Sequence, residues 1–199
     1  HTYAMVQTIM RDFPDYVPNT YLQYYLYPEQ VVAQLDPDHT RTEEVRNGRE
    51  KRVFTQCRQA ARQGSTKGLT IAKSEVHADM IVEVASSIAF DKGELFIMIT
   101  RNNGTVSNFH EDAMVETAAH VGANGVTAVP FGKIDVFMKG LMEGQYAYEH
   151  LTVDSYFEGS YKKALQALTL NRTLVDAQKA KAVLDDLIDA NQGYWPELK

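Results

Sequence analysis

A chain of 199 residues that is 44% hydrophobic and 23% charged can bury a core, and is short enough for one domain or two small ones. Its 20 Lys and Arg against 26 Asp and Glu give a net charge of -6, which excludes the basic footprint of a nucleic-acid binder. No apolar run approaches the roughly 18 residues that cross a bilayer, and the one cysteine, Cys57, excludes an internal disulfide or a zinc-finger cluster.

Nothing at the amino end reads as a signal peptide, so the expected compartment is the reducing cytoplasm. In chain order, His1 to Pro28 is dense in tyrosine and broken by Pro14, Pro18 and Pro28, which predicts a short helix followed by a turning segment. From Thr42 to Arg62, Val45, Val53, Cys57, Ala60 and Ala61 recur at helical spacing, and Gly64 stands where such a helix ends. Phe54 and Ala60 beside Cys57 suggest a buried thiol. A second helical stripe runs through His77, Met80, Ile81, Val84 and Ile88 to the Lys92-Gly93 turn, and places His77 as a hydrogen-bonded core histidine.

The period then changes. Leu95 to Thr100 reads as a buried strand ahead of the Asn102-Asn-Gly104 turn, and Met114–Val121 meets Val126–Val129 across Ala123-Asn-Gly125, a hairpin signal. After Pro130, helical stripes run through Ile134, Phe137, Leu141 and Met142, and through Phe157, Tyr161, Leu165 and Leu168. Thr173-Leu-Val-Asp176 has capping-box spacing and announces a last helix through Ala180, Val183, Leu184, Leu187 and Ile188, before a Tyr194-Trp-Pro196 tail that docks or frays. The expected class is α+β, with helices around a small antiparallel sheet.

Chemistry is sparse by spacing alone. The six histidines, at 1, 39, 77, 110, 120 and 150, include no i, i+4 pair, and no Gly-rich strand-to-helix fingerprint is present, so neither a metal site nor a dinucleotide site is expected within the chain. Two clusters stand out. Tyr21, Tyr24, Tyr25 and Tyr27 crowd between Pro18 and Pro28, as packing residues or as a proton acceptor. The second role requires a cation or metal, because a phenol ordinarily titrates near about 10. Arg41, in Asp38-His-Thr-Arg41 at a helix entrance, suits either a phosphate or sugar oxygen or a pair with Glu43 or Glu44.

Around these clusters the chain resembles glycoside hydrolase family four, and within it the 6-phospho-α-glucosidases. The shared stretches are Pro18-Asn-Thr-Tyr-Leu-Gln-Tyr-Tyr-Leu26, His39-Thr-Arg41, Asn47-Gly-Arg-Glu50 with Gln56-Cys57, and Asn102-Asn-Gly104. They continue with Asp112-Ala-Met-Val-Glu116, Lys139-Gly-Leu-Met-Glu143, Gln166-Ala-Leu-Thr-Leu170 and Tyr194-Trp-Pro-Glu-Leu198. The chain departs from the family pattern at Thr117-Ala-Ala119 and Gly125-Val-Thr-Ala128.

The resemblance implies the helix-rich carboxy-terminal fold of the lactate/malate dehydrogenase-like family four glycosidases, with residues 1–199 as one catalytic domain. It implies hydrolysis of phosphorylated α-glucosides such as maltose 6'-phosphate by oxidation, elimination, addition and reduction, using NAD and a divalent metal, usually manganese. Position by position it puts the catalytic tyrosine on Tyr21 and a substrate-contacting arginine on Arg41, with Asn19 shaping the same pocket. The NAD-binding domain and the metal ligands of the family fall upstream of the matched region, so His39 and Cys57 are not implied as ligands. The implied partners are a phosphorylated disaccharide, an amino-terminal NAD domain and further copies in a homo-oligomer. The chain alone is then expected to be inactive; the alternative is a non-catalytic oligomerisation or binding module.

Overall fold

The computed structural model describes residues 2–70, 76–174 and 176–199. In chain order these form α1 (Thr2–Asp12), α2 (Gln23–Leu26), α3 (Pro28–Ala33), α4 (Arg41–Glu43), a π-helical segment (Glu44–Glu50), α5 (Lys51–Gln63) and α6 (Val76–Ala89). Strands β1 (Glu94–Arg101), β2 (Met114–Gly122) and β3 (Gly125–Ala128) follow, then α7 (Val136–Glu158), α8 (Tyr161–Leu170) and α9 (Ala177–Ala190). The chain separates into two compact units, one of residues up to Leu35 together with Asp135–Lys199, the other Asp36–Ile134.

The elements described in the first unit are helices, and the starts of α7, α8 and α9 are fixed by short polar side chains. Asp135 accepts the backbone N–H groups of Phe137 and Met138 at the start of α7, and Ser160 and Asp176 cap α8 and α9 through Lys163 N and Lys179 N. The cap of α9 is therefore Asp176 itself. Thr173, the expected first member of a capping box, instead bonds Asn171 through its backbone N–H and hydroxyl. Ala164, Ala167 and Ala180 are buried, small residues that let α8 approach α7 and α9 closely, and Leu184 is buried beside them. At the front of the chain, Ile9 is fully buried, Phe13 stacks on Phe137 with centroids 5.5 Å apart, and the Tyr27 hydroxyl donates to Asp12 at 2.8 Å.

Gly159 closes α7 with φ +63, and a Cβ there would lie 2.9 Å from the Glu197 carbonyl oxygen. That close approach lets the carboxy-terminal tail dock: Lys199 N donates to Gly159 O, and Tyr161 N to Lys199 O.

The second unit holds the sheet, in the order β1-β2-β3, all antiparallel. The hairpin forms where the sequence predicts, but its turn is Ala123-Asn124 alone, since Gly125, expected in the turn, pairs with Gly122 and opens β3 at φ +102. Along β2, Val115, Thr117, Ala119 and Val121 alternate as the buried face. Ser87 of α6, fully buried, donates to Val121 O at 2.6 Å and accepts Glu94 N, which ties helix to sheet.

Three expectations change here. Leu95, Ile97 and Ile99 of β1 are exposed, because register places them opposite His120, Ala118 and Glu116, on the face away from the buried β2 residues. His77 is exposed, since α6 meets β2 through Ser87 and leaves Ile81 and Val82 in solvent as well. Cys57 is exposed on α5, a helix rich in Arg and Gln with no buried residue.

The helix expected from Thr42 to Arg62 forms, ending at Gly64 in the left-handed region, but opens with one α turn and a π segment over Glu44–Glu50. Asn102 organises the loop after β1. Fully buried, it donates through Nδ2 to the carbonyls of Val106, Phe109 and His110 and accepts Val106 N at 2.6 Å. Among the described residues no helix is long and apolar enough to cross a membrane.

Candidate functional site

Pro18 prevents a helix from running through the tyrosine segment, and the backbone turns there instead. The turn is held by Asn19, whose Oδ1 accepts the backbone N–H of Tyr21 at 2.8 Å and of Leu22 at 3.2 Å. Gln23 donates through Nε2 to the Thr20 carbonyl on the same turn. Tyr21 is thereby presented 69% exposed, its ring stacked on Tyr24 at 6.5 Å between centroids.

The four tyrosines separate by environment. Tyr27 bonds Asp12, and burial together with that carboxylate holds its phenol above the ordinary range. Tyr25 is raised by burial first and by Glu149 second, so ionisation of either is disfavoured. Tyr21 and Tyr24 line, together with Tyr25, a cavity of about 320 Å³ whose other walls include Gln145, Tyr148, Asn171 and Arg172. Arg172 is anchored there by a fork: its Nε and Nη2 both donate to the Tyr25 carbonyl, at 3.3 and 2.9 Å. Spacing alone had no means of finding Arg172, which lies 147 residues along the chain from Tyr25.

Arg41 belongs to the second unit, where it opens α4 behind the cap Thr40 and its Nη1 donates to Glu44 Oε2 at 2.5 Å. His39 pairs with Asp36 at 2.8 Å. The π segment begins directly after, and Asn47 within it donates to Glu43. A π turn interrupts an α-helix at some cost and is frequent at functional sites, so the Asn47-Gly-Arg-Glu50 stretch is a feature the helical spacing did not foretell. Among the described residues no three His, Cys, Asp or Glu side chains gather as a metal site. His110 lies in the Asn102 loop and His120 in β2, its Nδ1 2.9 Å from the Gly93 carbonyl oxygen.

The family 4 glycosyl hydrolase C-terminal domain matches residues 2–174. The chain belongs to that family.

Among its family 4 relatives, the phospho-alpha-glucosidase PagL of Clostridium acetobutylicum is 47% identical over 200 residues, covering 99% of this chain and 45% of its own length. A maltose-6'-phosphate glucosidase of Bacillus subtilis is 44% identical over 197 residues, covering 99% of this chain and 44% of the relative. A crystal structure of a 6-phospho-alpha-glucosidase from gut microorganisms, in complex with NAD and Mn2+, superposes with a TM-score of 0.90 at 48% identity, over 100% of this chain and 45% of that one. The chain thus spans less than half the length of these family 4 relatives, and the helix-rich α+β architecture is theirs over the matched part.

Proposed function

We propose that this chain is the carboxy-terminal catalytic domain of a cytoplasmic 6-phospho-α-glucosidase, which hydrolyses phosphorylated α-glucosides such as maltose 6'-phosphate. NAD and the divalent metal are held by an amino-terminal region that this chain does not contain, and the complete enzyme is a homo-oligomer. The observation that carries the reading is the 47% identity to PagL along 99% of the chain, with a TM-score of 0.90 to a solved 6-phospho-alpha-glucosidase.

On this reading the exposed Tyr21, fixed at its backbone by Asn19, accepts the proton from C2 of the sugar. The chemistry that makes this proton acidic belongs to groups outside the chain, so the chain by itself does not turn over. Arg41 exchanges Glu44 for the substrate, its planar guanidinium meeting two oxygens at once at the start of a helix.

The test is chromophore release from 4-nitrophenyl α-glucoside 6-phosphate with NAD and manganese, by the chain alone and by the chain joined to a family NAD-binding region. Activity only in the joined protein is expected. Turnover by the chain alone, or none in either, would overturn the reading.

A further inference from the structure

We propose that the cavity beside Tyr21 is a subsite for the leaving sugar of the substrate, with Arg172, Asn171, Gln145 and Tyr148 as the groups that read its hydroxyls. The proposal rests on the reading of Tyr21 as the acceptor of the C2 proton. The oxygen that leaves is on C1, one bond from C2, so a cavity that Tyr21 lines lies within reach of the leaving group.

The composition of the walls fits an uncharged polyol ring. At about 320 Å³ the cavity falls at the small end of ligand sites and suits one ring. Tyr21 and Tyr24 supply aromatic faces for the C–H side of a sugar. Hydroxyls need donors and acceptors together, and both are present. Asn171 engages its Oδ1 with Thr173, which leaves its Nδ2 without a partner among the described residues. Arg172 gives Nε and Nη2 to the Tyr25 carbonyl, which fixes the guanidinium in place and leaves Nη1 unpaired among the described residues.

Gln145 donates to Glu149 at 2.7 Å, so its Oε1 remains as an acceptor. Tyr148 adds a hydroxyl that both donates and accepts. A phosphate would call for several converging cations, whereas here one guanidinium, half engaged by a carbonyl, stands among neutral groups.

The experiment compares two substrates on the chain joined to a family NAD-binding region: maltose 6'-phosphate, whose leaving group is a sugar, and 4-nitrophenyl α-glucoside 6-phosphate, whose leaving group is a flat ring without hydroxyls. For Arg172→Leu, the ratio of kcat/KM on the disaccharide to that on the nitrophenyl substrate is expected to fall about tenfold, the weight of one hydrogen bond from a charged donor. Tyr148→Phe removes one hydroxyl and keeps the fold; it should move the same ratio in the same direction by about threefold. An unchanged ratio in both variants, whether rates fall equally or not at all, would overturn the subsite. Loss of the parent reading shows separately: if Tyr21→Phe still exchanges the C2 proton with solvent, Tyr21 is not the acceptor, whatever the ratios do.

Discussion

Asn19 Oδ1 accepts the backbone N–H of Tyr21 at 2.8 Å, so the residue proposed as proton acceptor is aimed by a side chain two positions earlier. The same oxygen takes Leu22 N at 3.2 Å, which makes one amide responsible for the whole turn into α2. Asn19→Ala frees both N–H groups and lets the Tyr21 ring drift; an error of an ångström at a reacting group can cost about a hundredfold. The expected outcome in the joined enzyme is a fall in kcat of about tenfold or more, with KM nearly unchanged. Asn19→Asp keeps the acceptor and should restore most of the rate, and an equal loss in both variants would show that the turn is not what matters.

Gly159 makes a prediction that concerns the tail and not the chemistry. Its φ of +63 disfavours any side chain, and a Cβ would press to 2.9 Å on the Glu197 carbonyl. Gly159→Ala should therefore destabilise the first unit by about 1–3 kcal/mol and release the tail. Urea unfolding reads the first effect. Faster hydrogen exchange at Lys199 N and Tyr161 N, whose bonds to Gly159 O and Lys199 O hold the tail, reads the second.

The order of helices and strands was legible because it depends on spacing and punctuation within a few residues: Gly64 ends α5, and Ala123-Asn124 turns the hairpin where expected. Burial was less legible. Leu95, Ile97 and Ile99 look like core in sequence, yet strand register turns them to the face opposite Val115, Ala119 and Val121. For the candidate site, composition marked out the four tyrosines between Pro18 and Pro28 and only the family resemblance pointed to Tyr21, while Arg172 and Asn171 reach the same cavity from beyond α8, and no local pattern connects them. The π turn after Arg41 was hidden for a different reason, since it shares the composition of an ordinary helix start.

Asn102 is the buried side chain that organises the loop after β1, its amide bonding three carbonyls and one N–H. Asn102→Leu takes the acceptor from Val106 N and the amide donor from all three carbonyls, of which Val106 O keeps Phe109 N and His110 O keeps Ala113 N, and should cost about 1–3 kcal/mol. Asn102→Asp retains the acceptor for Val106 N but brings a carboxylate toward three carbonyl oxygens, so it should fare no better. Denaturant midpoints compare the two. A midpoint within error of the parent for either variant would mean that the loop finds other partners.

Lys163 couples the end of α7 to α8 through Asp154 at 2.9 Å and Glu158 at 2.6 Å, across the bend at Gly159. The bond from Lys163 holds the Asp154 carboxyl below its ordinary value of 3.8, while Glu158 first and Asp154 second hold the ammonium above 10.5. A carboxyl depressed on folding stabilises the fold above its ordinary value, and that contribution is lost as pH falls through the depressed one; a raised ammonium stabilises below its ordinary value and loses its contribution as pH rises through the raised one. The cluster therefore supports the fold across neutral pH and fades on both sides, below about pH 4 and above about pH 10. Because these groups lie at the surface, salt weakens the effect. Lys163→Met should lower the thermal midpoint at neutral pH and low salt, and the gap from the parent should narrow toward about pH 3 and about pH 11 and in high salt. A gap that stays constant across pH would assign the loss to packing of the lysine stem and not to its charge.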